Sequence, residues 1–402
     1  MNAEYWGVGA STSGDLSFTP EEVSEFLLAD WMPGVAPTLA RSFLGWPYHL
    51  LQEAARGKHA GRTILRADAG FAERQWKGVL SWMLGVAGAR RVLREEGYPW
   101  IAPASAFYPE HKKSVAIGPW AAGHEPPHLV ASVARGSASQ LRPDYIAVRR
   151  GLSGYEWAAV EAKGTASAIA NWSRPPGAWA AQVRNIELEH LGHTVPLSRH
   201  LVVATRVNPN AKREATRKVQ IRAWNSARAV SQPLESSAHV HVVLAHLIGV
   251  LSNLNLAESA LALALSEFAG TGGVVREAVI RGRDASINGE LAGSGRPVPG
   301  RAELVERAKA ELRDRDMRRW PWQVPVPGVF LDADISSATA TLVGDLLDCD
   351  TIATAAATIA RAEDAETARV GADWVRRARV AGEGREPGLG SVLVSRRWTT
   401  NG

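Results

Sequence analysis

The chain has 402 residues, 46% of them apolar, so it can bury a sizeable core as one large domain or two. Lysine and arginine number 46 and aspartate and glutamate 41, giving a net charge of +5 and a pI near 9.5, which suits a nucleic-acid partner without requiring one. The single cysteine, Cys349, excludes an intrachain disulfide framework and a cysteine zinc site.

Residues 1–60 are predicted to form an N-terminal helical segment. Thr19–Ala29 reads as a helix, because a threonine suited to the N-cap precedes a proline at the first helical position and glutamates in the first turn. We expect this segment to cover the core of the protein or to help grip a substrate. The start of the sequence lacks the charged and apolar regions of a signal peptide, so we expect a cytoplasmic, reducing setting.

Residues 61–230 alternate between helical and strand patterns and are predicted to form the core. Phe71–Glu95 carries apolar residues at three-to-four spacing, which predicts an amphipathic helix. Val115–Ile117 is the candidate for a first short strand. Gly177–Leu191 is predicted to be a second helix, and His200–Val207, rich in β-branched residues, a further strand.

The most informative stretch lies between these two helices, at Leu141–Thr165. Two apolar runs, Tyr145–Val148 and Trp157–Val160, flank a polar turn that contains glycine, which predicts a strand, a hairpin turn and a strand. Asp144 precedes the first run and Glu161 ends the second. Because paired strands lie about 5 Å apart, this hairpin can bring the two carboxylates side by side.

A divalent cation would fit between two such carboxylates, because it relieves their mutual repulsion. Glu161 and Lys163 are two residues apart on a strand, so their side chains point to the same face and Lys163 can reach a phosphate held at Glu161. A second acid-x-lysine triplet, Glu110-His111-Lys112, lies in a polar segment with no apolar strand leading into it. Context therefore favours the triplet at Glu161.

Pro143, Asp144, Glu161 and Lys163 occupy the four signature places of the PD-(D/E)XK nuclease superfamily, which this stretch resembles. The resemblance covers residues 65–210. It implies an α/β protein with a restriction-endonuclease-like core, in which helices flank a central mixed β-sheet. The chain outside this core would add helical N- and C-terminal segments.

The resemblance also implies a reaction, the hydrolysis of phosphodiester bonds by water activated at Mg²⁺, with Mn²⁺ as a substitute ion. It assigns the metal ligands to Asp144, Glu161 and the main-chain carbonyl of Ala162. Lys163 would orient the nucleophile or offset the negative charge that grows in the transition state. From the residues alone, Asp144 also reads as a turn residue after proline, and Glu161 with Lys163 as a solvated strand face.

Two further residues match places that family members use. Glu73 would add a carboxylate from the first core helix, both as a metal ligand and as a catalytic residue, which makes a second metal ion more plausible. Gln182 would be a catalytic residue on the helix after the lysine. The alternatives are an acidic residue placed in the first turn of a helix for Glu73 and a solvated helix position for Gln182.

Basic residues cluster after the core strands. Lys212, Arg213, Arg217 and Lys218 are predicted to bind nucleic acid, since Arg213 and Arg217 are one helical turn apart and form a stripe suited to phosphates. The alternative is a solvated basic helix. A second cluster precedes two tryptophans that would stack on bases or pack in a loop, and it consists of Arg313, Arg315, Arg318, Arg319, Trp320 and Trp322.

The rest of the chain is predicted to be mainly helical. Residues 231–286 form a helical extension, whose apolar stretch Val240–Phe268 is interrupted by histidine, asparagine and glutamate and so does not suit a bilayer span. Residues 287–300, dense in glycine and proline, form a linker to a C-terminal region at 301–402. In that region we expect a charged helix, an alanine-rich helical stretch and a tail or hairpin, at Arg301–Arg319, Ser336–Ala372 and Ala381–Gly402.

Together these patterns predict a Mg²⁺-dependent deoxyribonuclease, of the restriction type or another antiphage defence endonuclease. The alternatives are a DNA repair or recombination nuclease and a non-catalytic nucleic-acid-binding protein on the same fold. The defence role is the one that the family resemblance implies, because a chain without helicase or ATPase motifs suits a stand-alone restriction enzyme. DNA is the expected partner and a membrane is not. A homodimer is a family expectation, since cutting both strands takes two active sites or two events.

Overall fold

The computed structural model describes the chain in separate segments. The described residues are 3–6, 13–16, 19–30, 47, 51–53, 63–65, 74–108, 128–133, 142–151, 154–165, 175–206, 219–227, 237–270, 276, 279–280, 299–314, 322–323, 329–377, 389–390 and 392–398. The helices are α1 (Pro20–Leu28), α2 (Arg74–Glu95), α3 (Gly177–Arg184), α4 (His239–Asn253), α5 (Ala257–Ala264), α6 (Arg301–Arg313), α7 (Ser337–Leu347) and α8 (Ile352–Arg377). The strands are β1 (Ala3–Trp6), β2 (Ser13–Leu16), β3 (Leu51–Glu53), β4 (Thr63–Leu65), β5 (Trp100–Pro103), β6 (Leu129–Val133), β7 (Tyr145–Gly151), β8 (Gly154–Thr165), β9 (Ile186–His190), β10 (His193–Val195), β11 (Arg199–Arg206), β12 (Gln220–Ala227), β13 (Trp322–Gln323), β14 (Val329–Ile335) and β15 (Val392–Trp398).

A five-stranded mixed sheet lies at the centre of the described residues, with its strands in the order β12, β11, β8, β7 and β5. β8 and β11 run parallel, and the other neighbours run antiparallel. α2 packs against β8 and β11 on one face, while α3 and α4 pack on the other. The predicted α/β class, with helices flanking a mixed sheet, is therefore confirmed. The restriction-endonuclease-like fold itself stays a prediction.

The hairpin of β7 and β8 is buried on both faces. Tyr145 and Ala147 pack in one apolar cluster with α2, whereas Ile146 and Val148 pack in a second cluster with α3 and α4. Strands that are covered on both faces read as continuous apolar runs rather than as alternating ones. This burial explains why uninterrupted apolar runs predicted both strands of the hairpin.

The second apolar cluster draws side chains from distant parts of the chain. It includes Leu28 at the end of α1, Trp100 in β5, Leu251 in α4 and Leu389 just before β15. Three of the predicted segments thus share a core with the sheet, namely 1–60, 231–286 and 301–402. The boundaries between these segments and the linker at 287–300 stay a prediction.

Several predicted elements are confirmed. α2 covers the predicted helix from Arg74 onward, and β11 matches the predicted strand within one residue at its start. α1 begins after Thr19, whose Oγ1 accepts a hydrogen bond from the Glu22 N–H at 3.2 Å while Glu22 Oε2 accepts one from the Thr19 N–H at 2.8 Å. This reciprocal capping box is what the threonine, proline and glutamate pattern indicated.

The predicted helix Gly177–Leu191 is wrong in its second half. α3 ends at Arg184, and the next residues form β9, in which buried and exposed side chains alternate. β9 pairs with β6 and β10, so hydrogen bonds to distant strands override the local helical spacing. The sequence patterns did not predict β5, the strand beside β7. The predicted strand Val115–Ile117 lies outside the described residues.

The apolar stretch Val240–Phe268 forms two helices, α4 and α5, rather than one. Between them Asn255 has a φ of 64°, a left-handed conformation that a helix cannot continue through. In the part of the chain that the structure describes, no helix is long and apolar enough to cross a membrane.

Two of the three C-terminal predictions, the charged helix and the alanine-rich helical stretch, are confirmed in part. The charged helix ends at Arg313, and the alanine-rich stretch divides into α7 and α8. The predicted tail or hairpin at Ala381–Gly402 contains β15, which pairs antiparallel with β14. Arg315, Arg318, Arg319 and Trp320 of the second basic cluster lie outside the described residues.

A buried carboxylate attaches α8 to the sheet. Glu363 accepts a hydrogen bond from Trp100 Nε1 at 2.7 Å and another from the Tyr155 hydroxyl at 2.8 Å. Burial raises the pKa of Glu363, and these two hydrogen bonds oppose the rise. The neighbouring Asp364 is exposed and pairs with Arg150 at 2.7 Å.

Replacing Glu363 by alanine is expected to destabilise the protein by about 2 to 4 kcal/mol, because two buried donors lose their acceptor and a cavity remains. Asp364→Ala removes an adjacent carboxylate from an exposed ion pair and is expected to cost less than about 1 kcal/mol. Urea denaturation of both variants measures the two changes. Equal destabilisation by both substitutions would contradict the role given to Glu363.

Candidate functional site

The hairpin brings Asp144 and Glu161 side by side. β7 and β8 pair with Tyr145 opposite Val160, and the same register sets Asp144 opposite Glu161. The Asp144 N–H donates to the carbonyl oxygen of Val160 at 2.9 Å, and the Ala162 N–H donates to Asp144 Oδ2 at 2.7 Å. Asp144 is thus held against β8 through both its main chain and its carboxylate.

Glu161 carries a fully buried carboxylate, with 0% of the residue exposed. Lys163 Nζ forms an ion pair with Glu161 Oε1, as expected for two side chains on the same face of a strand. Apart from this ion pair and a proton that it can share with Asp144, no N–H or O–H donor among the described residues reaches either oxygen of Glu161. A solvated strand face, the alternative for this residue, is therefore wrong for Glu161.

The protein environment shifts the pKa of both carboxyl groups upward in the absence of a cation. Burial raises the pKa of Glu161 to about 8, the neighbouring charge of Asp144 adds to the rise, and Lys163 opposes it. Asp144 is exposed, yet desolvation by the neighbouring protein atoms also raises its pKa, against the opposing effects of the Ala162 N–H and Lys163. Two adjacent carboxyl groups with raised pKa values form a site that binds a proton or a cation readily.

The donor set of this pair suits Mg²⁺. Within the described segments, no cluster of three or more His, Cys, Asp or Glu side chains is arranged to hold a metal ion. Mg²⁺ is commonly held by one or two carboxylates, with water and substrate phosphate completing its octahedral shell. Asp144 and Glu161 supply that number of carboxylates, and the uncompensated oxygens of Glu161 are hard donors of the type this ion prefers.

α2 fixes the end of β8 that carries Lys163. A Cβ built on Gly164 would lie 1.4 Å from the main-chain oxygen of Ser81, and one built on Gly85 would lie 2.6 Å from the Gly164 nitrogen. The backbones of α2 and β8 therefore touch directly after Lys163, which leaves the strand little room to shift. This close approach holds the lysine in register with Glu161.

Gln182 is buried in α3 and is not a solvated helix position. Its Nε2 donates to the carbonyl oxygen of Arg142 at 3.0 Å. That carbonyl belongs to the residue before Pro143 and Asp144, so Gln182 supports the segment that enters β7. Among the described hydrogen bonds, its amide makes none to the two carboxylates.

Some predicted site residues cannot be placed relative to this pair. Glu73 lies outside the described residues, directly before Arg74 in the sequence. The predicted nucleic-acid-binding residues also lie outside them, namely Lys212, Arg213, Arg217 and Lys218, as do Glu110, His111 and Lys112 of the second triplet. The assignments of Glu73 and the basic residues stay predictions.

The structure adds Tyr108 and Arg142, which the sequence patterns did not single out. Tyr108 follows a 3₁₀ turn, Ala104–Phe107, and the Ala104 N–H donates to the carbonyl oxygen of Asp144 at 2.9 Å. The Arg142 guanidinium lies over the Tyr108 ring, with Cζ 4.2 Å from the ring centroid. The position of Arg142 just before Pro143-Asp144 was a signal available in the sequence, whereas Tyr108 reaches the site only through the pairing of β5 with β7.

The described site thus combines a carboxylate pair in which Glu161 is buried and Asp144 exposed, a lysine on the same strand and an arginine stacked on a tyrosine. No protein-family model matches the chain, and neither curated proteins nor solved structures gave a match.

Proposed function

We propose that this protein is a Mg²⁺-dependent nuclease that hydrolyses phosphodiester bonds of DNA. The observation that supports it best is the carboxylate of Glu161, which is fully buried next to Asp144. Among the described residues, its only donors are Lys163 and a proton that it can share with Asp144. Burying a carboxylate without full compensation is costly, and such costs concentrate at functional sites. A divalent cation would supply the missing compensation.

Three oxygen donors would hold the ion, namely the carboxylates of Asp144 and Glu161 and the main-chain carbonyl of Ala162. When bound, Mg²⁺ polarises a phosphoryl oxygen and lowers the pKa of its water, and Mn²⁺ supplies the same chemistry. The Ala162 N–H orients the Asp144 carboxylate through Oδ2. The pairing of Asp144 with β8 keeps both carboxylates in one place as the ion is exchanged.

Lys163 provides the positive charge of the proposed reaction. Its side chain is 29% exposed and forms an ion pair with the buried Glu161, so it lies between this carboxylate and the solvent from which a substrate would enter. In this position it can orient the attacking water or offset the negative charge that develops on the phosphoryl group. Glu161 would thus hold the positively charged ion, and Lys163 would act on the negatively charged phosphoryl group.

DNA is the proposed substrate because the chain has a net charge of +5 and a stretch of basic residues after the core strands. The biological role we propose is that of a restriction-type or other antiphage endonuclease. This role goes beyond the site and depends on the family resemblance of Asp144, Glu161 and Lys163.

Incubation of the purified protein with plasmid, linear duplex and single-stranded DNA and with RNA, in Mg²⁺, Mn²⁺ or EDTA, tests the proposal. We expect cleavage of DNA with either metal ion and none in EDTA, and we expect Asp144→Ala and Lys163→Ala to lose cleavage. Arg150→Ala, on the same hairpin but paired with Asp364, is the matched control and should cleave as wild type does. Equal cleavage by wild type and by Asp144→Ala would refute the assignment.

A further inference from the structure

Arg142 is a positioned cation in the segment that enters β7. Its main chain is held from α3, because its carbonyl accepts the hydrogen bond from Gln182 Nε2 at 3.0 Å. Its side chain is held by Tyr108, with the guanidinium 4.2 Å from the ring centroid. It lies two residues before Asp144 and is only partly buried. Both ends of the residue are thus fixed before any ligand arrives.

No carboxylate in the described part of the chain pairs with Arg142. Other arginines of the same sheet have such partners, since Arg149 pairs with Glu156 at 2.6 Å and Arg150 with Asp364 at 2.7 Å. A stack of arginine on tyrosine uses the face of the guanidinium and none of its five N–H donors. The donors of Arg142 therefore remain available to a ligand.

Tyr108 places this stack within the site. The residue is 91% buried, and its hydroxyl has no hydrogen-bond partner among the described residues. Burial raises the pKa of Tyr108 to about 12, the charge of Arg142 opposes the rise and that of Glu161 adds to it. The phenol thus stays neutral and lies within electrostatic reach of both charged residues.

We propose that Arg142 binds a backbone phosphate of the nucleic-acid substrate and that Tyr108 is its positioning residue. A planar guanidinium with fixed donors matches the oxygens of a phosphate in a two-bond contact, which an ammonium group cannot reproduce. The inference rests on the proposed function for the identity of the substrate as a nucleic acid. It does not require that the bond be cut.

Binding of a fluorescein-labelled DNA duplex, measured by anisotropy in EDTA over a series of salt concentrations, tests the proposal. We expect Arg142→Ala to weaken binding about tenfold on two unrelated duplex sequences and to lower the slope of log K against log salt by about one. The affinity of Arg142→Lys should lie between those of the wild type and Arg142→Ala, since lysine keeps the positive charge but loses the planar pair of donors. Arg150→Ala removes the same charge elsewhere on the hairpin and should change the affinity less than twofold.

A double-mutant cycle tests the role of Tyr108. Tyr108→Leu should weaken binding while keeping the wild-type salt slope, because the charge of Arg142 remains. The double variant should bind no more weakly than Arg142→Ala alone if Tyr108 acts through Arg142. Thermal unfolding of each variant checks that the fold is retained. Additive losses in the double variant would refute the positioning role.

The outcomes separate this inference from the proposed function. If the wild-type protein binds duplex through Arg142 but never cleaves it with Mg²⁺ or Mn²⁺, the phosphate contact holds and the nuclease assignment falls. If cleavage depends on Asp144 while Arg142→Ala and Arg150→Ala bind alike, the nuclease assignment holds and the contact is refuted. Absence of any DNA binding by the wild-type protein would also refute the contact.

Discussion

Glu161→Gln is expected to abolish cleavage while making the metal-free protein more stable at alkaline pH. The folded protein holds the pKa of Glu161 at about 8, above its ordinary value of 4.5. Between these values the unfolded chain has lost the proton and the folded chain retains it, so wild-type stability falls as the pH rises through this window. Above pH 8 the full loss, on the order of 5 kcal/mol at most, is present. Glutamine is neutral at every pH, so the Glu161→Gln variant does not undergo this loss of stability.

The amide of glutamine also fits the site, because its NH₂ group can donate a hydrogen bond to the carboxylate of Asp144. Thermal unfolding in EDTA at pH 5, 7 and 9 measures the effect. We expect the melting temperature of the variant to exceed that of wild type by a few degrees at pH 9 and the difference to shrink toward pH 5. Cleavage with Mg²⁺ should fall at least about a thousandfold, because the substitution replaces a carboxylate that we propose as a ligand of the ion.

Glu156→Gln is the matched control for this substitution. Glu156 lies on the same strand, is half-buried and pairs with Arg149 at 2.6 Å. Its replacement should leave cleavage at the wild-type level, and Mg²⁺ should raise the melting temperature of Glu156→Gln and of wild type but not that of Glu161→Gln. A stability difference between Glu161→Gln and wild type that does not depend on pH would contradict the conclusion that burial raises the pKa of Glu161.

Gly164→Ala is expected to destabilise the protein by about 3 kcal/mol or more and to lower cleavage as well. The new Cβ would lie 1.4 Å from the main-chain oxygen of Ser81 and 2.2 Å from its carbonyl carbon, and backbone atoms within a helix cannot move aside cheaply. The end of β8 must therefore separate from α2. Because Lys163 directly precedes Gly164, the separation moves the ammonium group away from Glu161.

Gly78→Ala, on the same helix α2, is the control for Gly164→Ala. Gly78 has nothing within 4 Å of an added Cβ, so alanine there should be neutral or should stabilise the helix by about 0.5 to 1 kcal/mol. Urea denaturation of both variants gives the free energies of unfolding, and a plasmid-cleavage assay gives the activities. Wild-type stability of Gly164→Ala would show that the two backbones do not approach as closely as described.

The hairpin could be predicted from the sequence because its determinants are local. The apolar runs on either side of a glycine-containing turn set the strands, and the turn sets the register that places Asp144 opposite Glu161. The two-residue spacing of Glu161 and Lys163 alone places them on one face. The proximity of Asp144, Glu161 and Lys163 could therefore be predicted without knowledge of any long-range contact.

Burial could not be predicted in the same way. Glu161 reads equally as an exposed strand residue, and its full burial depends on α3 and the rest of the second apolar cluster, which the chain supplies from distant segments. Gln182 reads as a solvated helix residue, and only the position of α3 beside the start of β7 turns its amide toward Arg142. Tyr108 enters the site through pairing between strands far apart in the sequence.

By itself, the sequence determined the residue types of the carboxylate pair, their approximate distance and the α/β class, since spacing and periodicity of two or 3.6 residues encode these features locally. The tertiary structure alone decided that Glu161 is fully buried and that Gly164 lies against α2. It also decided that β9 is a strand where the local spacing favoured a helix. Desolvation and strand pairing depend on which distant segments pack together, and a one-dimensional pattern carries no record of that packing.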